Sequence, residues 1–137
     1  MYVNSDSWSR LPNAKYIKQL LDSVLLSPCT WMGGTELPRV AWTVAQNAAF
    51  ALTWEPTRNA AWNTAWCTAS TAVWNGTGSA ASAAARGAIL ALVVYDNSGY
   101  LLDENPEHVK LLASLGVEEA ILLFPACEVL AKEEALA

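Results

Sequence analysis

Asp96, Tyr100 and Asp103 are spaced i, i+4 and i+7. On one helix persisting through Gly99, that spacing puts two carboxylates and a phenol on a single face. Such a set can move protons or bind a cation. Tyr95 completes the densest polar group outside the termini, and the plainer reading is that these residues finish one helix and cap the next. Trp54, Arg58 and Trp62 also follow a spacing of four. Along a helix, the guanidinium would lie between two indoles, with Trp66 as a further wall. Cation–π contacts of this kind are worth roughly 0.5–2 kcal/mol, and the group would suit a small anionic or planar ligand. The plainer reading pairs Arg58 with Glu55 and gives the tryptophans to the core or a subunit interface; Pro56 also interrupts the spacing after Trp54. Arg86 is the sole charge between Arg58 and Asp96. It must reach solvent, a carboxylate such as Asp96 or a C-terminal glutamate, or a bound anion or partner, because unpaired burial is prohibitive.

Other chemistries lack their residues. His108 is the single histidine and falls in the first turn of a helix, at an exposed place. Cys29, Cys67 and Cys127 form no CxxC pair, so neither a zinc site nor a disulfide framework is expected. Gly33-Gly34 and Gly76-Thr77-Gly78 lack the lysine and spacing of a phosphate loop. No catalytic residue, metal or cofactor is assigned. Residues 1–102 hold six basic and five acidic side chains, whereas residues 103–137 hold two and eight. The acidic end argues against a nucleic-acid footprint, which needs a basic face. The N-terminus is polar and shows no secretory signal. The longest apolar run, residues 88–95, falls far below the roughly 20 residues of a membrane span. A reduced, cytoplasmic protein that does not contact membrane is the expectation.

The elements that must position these residues are built on a period of four. Residues 41–88 read AWTV AQNA AFAL TWEP TRNA AWNT AWCT ASTA VWNG TGSA ASAA ARGA. Trp42, Trp54, Trp62, Trp66 and Trp74 share the second place of their tetrads with Phe50, Arg58 and Arg86, and the first place is always Ala, Thr or Val. Five tryptophans in one register would arise by chance about once in 256 trials. Alanine favours helix, yet four residues advance 400° around an ideal helix, so the aromatic seam drifts about 40° per tetrad. Pro56 and Gly76–Gly78 break the run before the drift carries it around the circumference. Helices are predicted at about 36–53, 55–75 and 79–96, with small first-place residues allowing close approach. Four is also twice the strand period, but the alanine density and the lack of regular hairpin turns favour helices.

Outside the array, residues 13–26 place Tyr16, Ile17, Leu20, Leu21, Val24 and Leu25 at helical spacing, with Asn13 as the N-cap. Residues 27–35 carry loop chemistry, and Thr35 can cap the helix that follows. Asn105-Pro106-Glu107 restarts a helix that stops at Gly116. A last helix begins at Val117, with Pro125 kinking or dividing it.

The Ala-(Trp/Arg)-polar-Ala tetrads resemble the Ala/Trp/Arg tetrapeptide arrays of uncharacterised proteins from tailed bacteriophages and some bacteria. YDNSGYLLDENPEHVKLLASLGVEEAILLFPA is similar to the segment that follows the array in some of them. The resemblance covers residues 41–126 at most; here Asn or Thr stands where such arrays often carry Asp. It implies a helical array and points to a phage origin, and it brings no activity with it.

The expected fold is all-α: one domain over residues 1–137, a compact bundle of six to seven short helices with an Ala/Trp-rich central helical hairpin. Only 15% of the residues are charged, against about 25% in typical soluble domains. That excess of uncharged surface favours a non-enzymatic interaction protein that binds itself and a host protein or small ligand, acting as a host-directed inhibitor, a ligand-sequestering protein or a virion component. The candidate contact residues are Trp54, Arg58, Trp62, Trp66, Arg86, Asp96, Tyr100 and Asp103. The alternative is a small enzyme or ligand-binding protein using Asp96, Tyr100 and Asp103 beside a tryptophan-lined pocket.

Overall fold

The computed structural model describes residues 11–26, 39–52, 78–95 and 97–136. Among them lie five α-helices and a 3₁₀ turn, with no strand. The helices are α1 (Ala14–Leu26), α2 (Arg39–Leu52), α3 (Gly78–Val94), α4 (Pro106–Ser114) and α5 (Glu118–Leu136); the 3₁₀ turn is Gly99–Asp103. The described part of the chain is all-helical.

Every helix contributes to one core. In α1, Ile17, Leu20 and Val24 are fully buried at spacings of three and four, while Leu25 stays half-exposed at the margin of the stripe. In α2 the buried residues are Ala45 and Ala49, the first places of two tetrads, and Ala85 repeats this in α3. The aromatic second place is different: Trp42 and Phe50 are only partly buried at the core's edge. Small residues therefore fill the buried side of α2, and the rings pack along its edge. α3 and α5 are the inner pair, in contact with each other, and α2 touches both. Between Ala85 and Val93 only Arg86 is not fully buried, and residues 120–127 of α5 are all buried.

That burial explains why α5 runs unbroken through Pro125. Proline inside a helix costs about 3 kcal/mol, and its ring leaves the carbonyl four residues back without a helical donor. Leu122, Leu123 and Phe124 beside it are almost wholly buried. Each large apolar side chain gains about 1.5–3 kcal/mol from burial, so their packing outweighs the defect. The sequence left kinking and division open; the structure has one helix.

The helix boundaries that rest on local chemistry fall as read. Asn105 caps α4, its Oδ1 accepting from the Glu107 N–H at 2.9 Å with Pro106 behind it. At the other end Val117 N–H donates to Leu112 O and Gly116 N–H to Ala113 O. This is a Schellman closure, and it requires the left-handed φ of 89° at Gly116. A Cβ there would meet nothing within 4 Å. Gly116→Ala should consequently cost about 1 kcal/mol through backbone strain alone, read as a lower urea midpoint with unchanged m-value.

Asn13 behaves differently from the sequence expectation. Its carbonyl receives the Tyr16 and Ile17 N–H groups, as at a helix start. Its side-chain amide instead crosses to the end of α3, where Nδ2 donates to Leu92 O at 2.8 Å and to Tyr95 O at 3.0 Å. A buried asparagine just before α1 thus closes the C-terminus of α3, whose last turn carries no basic residue.

Candidate functional site

Of the candidate residues, Arg86, Tyr100 and Asp103 lie within the described part; Trp54, Arg58, Trp62, Trp66 and Asp96 lie outside it, as do the 55–75 helix and the Thr35 cap. The shared face of Asp96, Tyr100 and Asp103 required a helix running through Gly99. α3 ends at Val94. The reason is the crowd of donors on Tyr95 O, which accepts from Ser98 N–H at 2.9 Å, Ser98 Oγ at 2.6 Å and Asn13 Nδ2. With that carbonyl engaged, the chain turns and resumes as 3₁₀, where residues three apart, not four, align. Gly99 begins the turn pressed against the Tyr16 ring and the Asn13 amide, with no room for a Cβ.

Tyr100 and Asp103 stay three apart in that turn, yet the phenol that meets Asp103 is Tyr16, from α1: Tyr16 Oη donates to Asp103 Oδ2 at 3.0 Å. Tyr100 is 57% exposed on the outer side of the turn. Nothing in the local sequence marks the Tyr16–Asp103 pair, whose members are 87 positions apart. Further along α1, buried Ser23 donates to Glu133 Oε1 of α5 at 2.6 Å. Asp103 and Glu133 border a cavity of about 580 Å³ together with Gln19, Glu104 and Glu134 and the apolar Leu102, Leu130 and Ala131. Four carboxylates face this space, and among the described residues no lysine or arginine lines it. Glu104 also pairs with His108 Nδ1 at 3.4 Å, with both side chains well exposed, so the contact contributes little to stability.

Arg86 is half-buried in α3, and burial holds its guanidinium pKa below the ordinary value. Tyr95 is half-buried with an enclosed hydroxyl. Burial, then the charges of Glu118 and Glu119 at the start of α5, push its pKa up. Glu118 is close enough to act on the hydroxyl without completing a well-formed hydrogen bond. No local sequence signal marks these glutamates, because their proximity to Tyr95 depends on how α3 and α5 pack.

Cys127 is the free thiol among the described residues. It is buried on α5, donates to Leu101 O at 3.0 Å, and has its pKa pushed up to about 12, chiefly by that burial. With Cys29 and Cys67 changed to serine, Cys127 should react with a thiol reagent at pH 8 about 1,000-fold more slowly than in unfolded chain. A native rate within tenfold of the unfolded rate would show an open thiol. Among the described residues, no three His, Cys, Asp or Glu side chains gather as a metal ion would need. None of the described helices is long and apolar enough to cross a membrane.

The described residues define an all-helical protein with an acidic cavity beside α1 and an outer helix, α2, that carries no charge after Arg39. Comparison with protein-family models, with curated proteins and with solved structures finds no match for the chain.

Proposed function

We propose that the chain is a non-enzymatic interaction protein that associates with itself and, in that form, engages a further protein or a small ligand. The observation that carries this reading is the outward face of α2. Val40 is 75% exposed and Val44 59%, and Thr43, Asn47 and Ala51 are exposed beside them. From residue 40 to residue 52 there is no charge at all. Valines 40 and 44 form a short ridge at a spacing of four, and the smaller Thr43, Asn47 and Ala51 form a parallel furrow. Ridges and furrows of that spacing fit one another when two such helices cross at about −50°, so the face suits a copy of itself in a two-fold contact. The opposite face of α2 uses the same device inside the chain, where Ala45 and Ala49 are buried.

The tetrads continue past α2 with Glu55, Arg58 and Arg86 as their charges, and in this reading they extend the charge-poor surface as an Ala/Trp-rich hairpin within a bundle of six or seven helices. A phage origin and action in the host cytoplasm, as host-directed inhibitor, ligand-sequestering protein or virion component, belong to the same proposal and rest on the resemblance of the array.

Sedimentation velocity tests it. The wild-type chain should associate in the micromolar range, and Val44→Glu should weaken that association at least tenfold with an unchanged helical signal. The substitution puts two buried like charges near a two-fold axis, while at an exposed position it leaves the fold alone. A strict monomer at high protein concentration overturns the proposal.

A further inference from the structure

We draw no further inference here: the strongest candidate, the cavity between α1, the 3₁₀ turn and α5 bordered by Asp103, Glu104, Glu133 and Glu134, is an acidic cluster whose hydrogen bonds run to the fold's own Tyr16 and Ser23, and nothing in the structure shows what fills it.

Discussion

Asn13→Asp should destabilise the protein by about 4 kcal/mol at pH 7, and most of that loss should disappear in mild acid. The side-chain amide of Asn13 is buried and gives both of its N–H groups to the carbonyls of Leu92 and Tyr95. A carboxylate at that place would have no proton to give and would face the negative end of α3. The folded chain must keep the new group protonated, which raises its pKa above the ordinary 3.9 or so. Holding it neutral at pH 7 costs about 1.36 kcal/mol for each pH unit above that value, which sets the figure of about 4 kcal/mol. Below about pH 4 the group is neutral in both folded and unfolded chains, so this part of the penalty vanishes. The deficit should therefore grow as pH rises from 4 towards the folded-state pKa. Asn13→Ala separates the two contributions. It removes the donors without adding a charge and should cost about 2 kcal/mol at every pH. Urea denaturation of the three proteins at pH 4.5 and pH 7 makes the comparison. Equal deficits for Asn13→Asp at the two pH values would mean that the amide does not sit against those carbonyls.

The same residue shows where the sequence stopped being informative. Its place at the head of α1 is local and legible: the stripe of Ile17, Leu20 and Val24 begins just after it. Its amide partners are about 80 positions away, and no short-range rule reaches that far. The end of α3 follows from them. With Tyr95 O engaged by Ser98 and Asn13, α3 stops short of the Gly99 that a single helical face for Asp96, Tyr100 and Asp103 required. Asp103 finds a phenol all the same, but it belongs to Tyr16. By contrast, the Asn105 cap and the Gly116 stop depend only on neighbours within a few residues, and both fell where the sequence put them. Pro125 lies between these cases. Its disruptive chemistry is local, but its outcome depends on the packing that surrounds Leu122 to Ala126, which only the assembled core decides.

For the array, the legible part was its run of small residues, and that part can be tested by filling a close contact between α2 and α3. The Trp42 indole of α2 lies over Gly87 of α3; a Cβ on Gly87 would come within 2.7 Å of Trp42 Cζ2. Gly87→Val should cost about 3 kcal/mol, the upper end of overpacking penalties, because Gly87 is buried and the valine's two methyls add to the collision. Helix propensity pulls the other way. Glycine in a helix interior is worse than alanine by roughly 0.5–1 kcal/mol, so Gly87→Ala would stabilise a helix with space beside it. The sign of the Ala substitution thus depends on the indole. In the wild-type background it should destabilise, and in a Trp42→Ala background it should stabilise by about 0.7 kcal/mol. The valine substitution should likewise lose most of its cost once Trp42 is gone, giving a coupling of about 2 kcal/mol in the double-mutant cycle. Additive costs would separate Trp42 from Gly87 and remove the case that the tetrads set the distance between α2 and α3. Strong coupling with the predicted change of sign would make that distance the reason a glycine occupies the third place of the last tetrad.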